Sequence, residues 1–359
     1  MDMQAGLLSL ICCAILGAAP AAGQVDFDKA REYLKKEQSG QTLTTEERAY
    51  LDRAKQAFGQ RGGRNPVRTI NGSSLGLAPL PELKATYLGE SGGLYGGGSD
   101  APPPVLAKAA AAAAATITPL DSNGKPSSSG RIVLLSVGMS NTTQEFSAFQ
   151  KHSDKSARRS PSVVLVDGAQ GGQSAERIVS PDAPFWNTLL QRLRQAEVTP
   201  EQVQAVWLKQ AFPGPREAFP AEAKRLQGYL VQDLAALRVH CPNVRIVFLS
   251  SRIYAGYATS SLNPEPHAYE SAFAVRWTIL EQLKPAGIEP GAPVLLWGPY
   301  LWADGEKGRA DGRLKWEKSD FGPDGTHPSI SGRQKVAEEL ERFLCSDPYA
   351  KGWYLGKVR

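Results

Sequence analysis

From Arg131 onward, short apolar runs rich in β-branched residues alternate with helix-length amphipathic stretches, and this alternation limits the possible folds more than any other feature of the chain. Ile132 to Val137, Val163 to Val166, Ala205 to Leu208, Val244 to Ser250 and Val294 to Trp297 read as strands. Stretches near Thr142 to Lys151, Ala183 to Ala196, Arg216 to His240, Pro266 to Leu283 and Ser331 to Leu344 read as helices. Near-continuous apolar runs mark strands buried on both faces, and parallel strands need crossover helices between them. The pattern predicts an α/β domain of three layers with a five-stranded parallel, flavodoxin-like sheet. Ligands of such sheets bind outside the carboxyl ends of the strands. Ser140, Gly172, Gln210 and Arg252 all fall just past predicted strand ends.

The 359 residues suffice for one large α/β domain with an appendage. Leu7 to Ala19 is apolar and is followed by small residues through Gly23. This fits a secretory signal over residues 1–23 better than a membrane span, which needs roughly 20 apolar residues. Its n-region is atypical, holding Asp2 and neither Lys nor Arg. A secreted or periplasmic location is the expectation. Residues 24–60 read as a helical hairpin, with helices over Asp28 to Glu37 and Thr45 to Phe58 and a capping box from Thr44 to Glu47. That hairpin either recruits a partner or shields a sheet edge. Glycine, proline and alanine dominate residues 61–129, read as a linker that carries one short surface helix in its alanine run, Ala109 to Ala115. The main domain is expected over 130–347 and a tail over 348–359.

A net charge of +5 arises from 41 basic and 36 acidic residues scattered along the chain. No basic stripe exists for a phosphate backbone, so no nucleic-acid partner is expected. Cys12 and Cys13 leave with the signal unless one is lipidated. Cys241 and Cys345 either form a disulfide or stay as free buried thiols. No cysteine or histidine spacing suits a metal, and no cofactor is implied.

The chemistry concentrates in two strings. Gly138-Met139-Ser140-Asn141 closes the first strand, and Asp324-Gly325-Thr326-His327-Pro328-Ser329 precedes the last helix. A serine becomes a nucleophile when an imidazole takes its proton, and a carboxylate fixes the tautomer of that imidazole. Three-residue spacing across a glycine lets Asp324 and His327 turn to the same side.

Taken in order, these strings resemble the blocks of the SGNH, or GDSL-type, hydrolase superfamily, over roughly Arg131 to Phe343. Asn141 after the serine brings the first block closer to the G-x-S-N form of carbohydrate O-acetylesterases of the sialate type. The resemblance implies Ser140 as nucleophile, His327 as general base and Asp324 as its orienting carboxylate. It implies an oxyanion hole from the Ser140 amide, Gly172 in Val166-Asp167-Gly168-Ala169-Gln170-Gly171-Gly172, and a third donor. There the chain departs from the family's G-x-N-D: Leu208-Lys209-Gln210-Ala211 leaves the role to the Gln210 amide.

Asn141, Arg252 and Tyr254 are candidate substrate contacts, because a sugar needs polar groups and flat aromatic faces. Arg252 paired with Glu265 or Glu270, and tyrosines that merely pack, form the equal alternative. Trp297 to Trp302 carries the same ambiguity. His152 reads as a surface residue, His240 as a helix cap, and His267 as a weaker candidate for lining the site. The expected function is an exported serine esterase that removes a short acyl group, acetyl above all, from a small-molecule or glycan ester. The rivals are a catalytically silent glycan-binding module on the same fold and a lipase or thioesterase of the same type.

Overall fold

The computed structural model describes residues 29, 32, 33, 36, 41–60, 71–284, 288, 289 and 291–356. The expected signal segment, most of the first hairpin helix, residues 61–70 and the last three residues of the tail lie outside them. The chain divides into two compact units, Met1–Pro66 and Val67–Arg359.

In the first unit, helix α1 (Thr45–Gln60) starts as its sequence predicts. The Glu47 amide donates to Thr44 Oγ1 at 3.2 Å, and the Thr44 amide donates to the Glu47 carboxylate at 3.0 Å. Two orphan amides are thereby satisfied. Lys36 Nζ bonds Glu47 at 2.9 Å, and the Tyr33 and Tyr50 rings meet edge to face at 5.8 Å.

The second unit is built on a parallel sheet of β1 (Ile132–Gly138), β2 (Val163–Asp167), β3 (Val203–Lys209), β4 (Ile246–Leu249) and β5 (Val294–Trp297). Their spatial order is β2-β1-β3-β4-β5, all parallel. Every residue of β1, β3, β4 and β5 is buried, which is why these strands read as unbroken apolar runs. The longer helices are α2 (Pro104–Thr116), α3 (Ser140–Ser153), α4 (Pro184–Gln195), α5 (Ala221–His240), α6 (His267–Leu280) and α7 (Ile330–Ser346). The β1-to-β2 crossover runs one way along the sheet and every later crossover runs the other. Right-handed connections therefore place α3 on one face and α4 to α6 on the opposite face. α7 packs on α3, and α5 on α6. The order reverses between β1 and β3, so the crevice at their carboxyl ends is where a doubly wound sheet accepts a ligand.

Two expected boundaries shift for local reasons. α5 begins at Ala221 instead of Arg216, because Pro215 and Pro220 interrupt the earlier residues and the Glu222 carboxylate accepts the amides of Arg216 and Glu217 at 2.9 and 2.7 Å. α3 begins at Ser140 itself, two residues earlier than expected.

From residue 71 on, the stretch read as a linker is instead part of the core. Leu80, Leu106 and Ala110 are wholly buried, and α2 lies against β4 and β5, its alanines permitting close approach. Asp304 gathers the Ser74 hydroxyl at 2.7 Å and the amides of Leu75 and Gly76 at 2.6 and 3.1 Å. The tail docks as well, with Trp353 and Tyr354 buried and the Tyr354 hydroxyl placed 2.8 Å from that of Ser153. Cys241 and Cys345 are free. Burial pushes both thiols up, to about 12 and about 11. Among the described residues no helix is long and apolar enough to cross a membrane.

Candidate active site

β1 ends where a side chain no longer fits. A Cβ at Gly138 would stand 2.3 Å from the Lys209 carbonyl and 2.4 Å from Thr142 Oγ1. Met139 is extended, and Ser140 opens α3 with its hydroxyl at the crevice between β1 and β3. As the first helical residue, Ser140 has an amide with no intrahelical acceptor, and the positive end of the helix dipole lies there. Thr142 ties the helix start to β3 by donating to the Lys209 carbonyl at 2.6 Å.

The second string arrives on the turn before α7. Gly325 has φ +65°, a conformation glycine adopts without strain, and a Cβ there would lie 1.8 Å from the Tyr257 carbonyl. The turn is fixed further by the Thr259 amide, which donates to the Asp324 carbonyl at 3.0 Å. Asp324 Oδ1 accepts the amides of Thr326 and His327, each at 3.0 Å. Asp324 Oδ2 lies 2.5 Å from His327 Nδ1, and His327 Nε2 lies 2.8 Å from Ser140 Oγ. With the ring proton on Nδ1, the imidazole donates to Asp324 and accepts from the serine hydroxyl. Partial burial raises the Asp324 carboxyl, but the His327 ring and the two amides outweigh it and hold the group below its usual range.

Gly172 lies at the exposed end of the loop after β2, with φ +75°. Its amide makes no backbone hydrogen bond among the described residues. Glycine is needed there for that φ, since nothing lies within 4 Å of an added Cβ. The loop is held to β1 by the Gln170 amide on the Gly138 carbonyl at 3.0 Å. Asp167, at the end of β2, accepts from Ser136 Oγ at 2.6 Å and from the Ala169 amide at 3.1 Å. Burial raises the pKa of its carboxyl against those bonds.

Four expected contacts are placed differently. Gln210 is buried, donating one amide N–H to the Gln173 carbonyl at 3.0 Å and accepting the Ala211 amide at 3.3 Å, so its side chain braces the loop after β2. Asn141 is 1 % exposed and donates to the Thr326 carbonyl at 3.0 Å; it is a strut for the histidine loop and touches no open surface. Tyr254 is wholly buried and its hydroxyl donates to the Gly72 carbonyl. Arg252 is 1 % exposed. Its carboxylate alternative is not realised as a hydrogen bond either: Nε and Nη2 are buried without a partner among the described residues. Trp302 is buried too, and its indole N–H donates to Glu265 at 2.8 Å. His267 is 5 % exposed beside Glu270 in a small pocket with Phe212 and Asn263.

One feature beneath the site went unread in the sequence. Glu145 on α3 and Lys209 at the end of β3 are both wholly buried, with Lys209 Nζ at 2.8 and 2.6 Å from the two carboxylate oxygens. Burial lowers the lysine to about 8, against the pull of Glu145. A lysine ending a strand gives no sign that it points inward, and a glutamate five residues after Ser140 is equally mute.

No protein-family model matches the chain, and no curated protein matches it. Solved structures do. A protein of Slackia heliotrinireducens, classed provisionally as an SGNH hydrolase, shares 15% identity over 60% of this chain and 99% of its own, with a TM-score of 0.35. A provisional acylhydrolase of Bacteroides fragilis shares 13% over 67% of this chain and 97% of its own, at 0.34. An extracellular lipase of Streptomyces rimosus shares 11% over 59% of this chain and 99% of its own, at 0.29. Likenesses this distant lend no weight to a function, which is argued below from the residues of this chain.

Proposed function

We propose that this protein is a serine ester hydrolase of the SGNH type. The observation that carries the proposal is the continuous line from Ser140 Oγ through the His327 ring to Asp324, at 2.8 and 2.5 Å, at the strand-order reversal. His327 Nε2 takes the hydroxyl proton as Ser140 Oγ bonds to the ester carbonyl carbon, and the carbonyl electrons move onto oxygen. The Ser140 amide, at a helix start, and the exposed Gly172 amide are the donors available to that oxyanion. When the intermediate collapses, the carbon–alkoxy bond breaks and His327 returns the proton to the leaving alcohol. Water then attacks the acyl-serine with His327 again as base, releasing the acid and restoring Ser140.

The finer reading is an exported enzyme that removes acetyl from a carbohydrate. It rests on Gly138-x-Ser140-Asn141 and on the apolar stretch Leu7 to Ala19. Burial of Arg252, Tyr254 and Trp302 takes away the side chains on which a silent glycan-binding module depended. The test is hydrolysis of p-nitrophenyl acetate and of acetylated oligosaccharides by the mature chain beside S140A. Activity abolished by the substitution supports the reading; a folded, inactive wild type on both substrates, or an S140A variant as active as the wild type, refutes it. Preference for long acyl chains would move the assignment to a lipase.

A further inference from the structure

A small pocket lies where the starts of α5 and α6 meet the loops after β3 and β4. Phe212 and Pro215 after β3, Glu222 in the first turn of α5, Asn263 after β4, and His267 and Glu270 in the first turn of α6 border it. These loops leave the carboxyl ends of their strands, so the pocket shares a sheet edge with Ser140. Glu222, Asn263, His267 and Glu270 are each more than nine-tenths buried. Yet Glu222 Oε1, Asn263 Oδ1, Glu270 Oε2 and both ring nitrogens of His267 have no hydrogen-bond partner among the described residues. One such orphan costs stability; several bordering a single cavity point to a shared partner.

The committed ends of these side chains fix what the free ends offer. Glu222 Oε2 accepts the amides of Arg216 and Glu217. Asn263 Nδ2 donates to the Phe212 carbonyl at 3.5 Å, which leaves the amide oxygen free. Glu270 Oε1 accepts the Tyr87 hydroxyl at 2.7 Å. Ser271, also at the pocket, spends its hydroxyl proton on the Ala268 carbonyl at 2.6 Å. His267 Nδ1 stands 3.2 Å from Glu270 Oε2 without the alignment of a hydrogen bond. Arg225 Nη1 stands 3.7 Å from Glu222 Oε1, but the guanidinium bonds Glu217 at 2.5 Å. Among the described residues no Lys or Arg borders the pocket. Apart from the imidazole, which can accept or donate, the free ends are acceptors, and two of them are carboxylate oxygens.

Size narrows the choice of partner. The pocket has room for about one water-sized group, too little for a sugar ring. Among the described residues no three His, Cys, Asp or Glu side chains are grouped to hold a metal ion. Metal bonds of about 2.0–2.6 Å demand closer convergence than hydrogen bonds of about 2.7–3.2 Å. A small cation with several N–H donors meets both conditions.

We propose that this pocket binds the terminal ammonium group of a primary amine. Glu270 Oε2, Glu222 Oε1 and Asn263 Oδ1 accept its three N–H bonds, and its alkyl part leaves past Pro215, which is only half-buried. The site stands apart from the esterase reading and needs none of the triad.

The experiment follows the ring protons of His267 by NMR in the full chain, assigned through H267Q, as methylammonium chloride is added at constant ionic strength. The expected result is a saturable shift with a Kd in the millimolar range, and no comparable shift with methanol, which has the size but not the charge. E270Q, which keeps the side-chain shape and removes the charge, weakens methylammonium about tenfold. A methanol shift equal to that of methylammonium overturns the proposal and assigns the pocket to a water-like group. An unmoved His267, or an E270Q variant that binds as tightly as the wild type, overturns it too. If E270Q does not fold, the contrast between methylammonium and methanol in the wild type decides. No ester is turned over in this measurement. A wild type inactive on every ester would therefore end the esterase reading and leave the site standing, whereas an active enzyme that ignores methylammonium would end the site alone.

Discussion

Asn141 donates to the Thr326 carbonyl at 3.0 Å, so the residue after the candidate nucleophile is bonded to the residue before the candidate base. One buried hydrogen bond thus couples the start of α3 to the turn before α7. Asn141→Ala would leave that carbonyl without its donor, which costs about 1–3 kcal/mol. Part of the loss should appear as motion of His327. The expected outcome is a lower melting temperature and a fall of roughly tenfold in kcat, with KM little changed, read from steady-state kinetics on a soluble ester.

Gln210→Ala separates a brace from an oxyanion donor. Removing a true donor costs about 10²–10³ in kcat. With its amide already on the Gln173 carbonyl, Gln210 should lose less than about tenfold in kcat, alongside reduced stability. A loss of hundreds-fold in a folded variant would return Gln210 to the oxyanion hole.

The Glu145–Lys209 pair should behave as buried ion pairs do. Lys209→Met alone strands a carboxylate in the interior and is expected to cost about 3–5 kcal/mol in urea unfolding. The double variant Glu145→Leu with Lys209→Met should recover most of that. Additive losses in the double variant would show that the two groups are not coupled.

Glu265 gives stability a pH dependence of the less usual sign. Burial pushes its carboxyl up to about 7 in the folded protein, above the ordinary carboxylate value. Between about pH 4.5 and 7 the folded state therefore holds more protons at this position than the unfolded state, and stability falls as pH rises. Glu265→Gln removes that dependence. The difference in melting temperature between wild type and variant should move in favour of the variant across this range and flatten above about pH 8.

The sheet was legible because its strands are buried on both faces, and runs such as Ile132–Val137 carry that fact locally. The pairing of Ser140 with Asp324 and His327 was legible because a serine closes the first strand and Asp-x-x-His precedes the last helix, two strings whose order resembles the SGNH blocks. Arg252 and Tyr254 were not. A position just past a strand says that a residue sits at the ligand edge, but not whether its side chain turns outward or folds back beneath the loop. Tyr254 turns inward because Gly72, far away in the chain, offers it a carbonyl. The same distance hid the role of residues 71–129, whose composition suits a tether while Leu80, Leu106 and Ala110 pack into the sheet layer.

The three donors that Ser74, Leu75 and Gly76 deliver to Asp304 therefore set a lower limit on the size of the folding unit. Excision at Arg131, just before β1, would strip α2 from the sheet and leave the Asp304 carboxylate without those donors. Recombinant work on the sheet domain alone should begin no later than Asn71. In this protein the glycine-rich lead-in belongs to the architecture of the fold and is no dispensable leash.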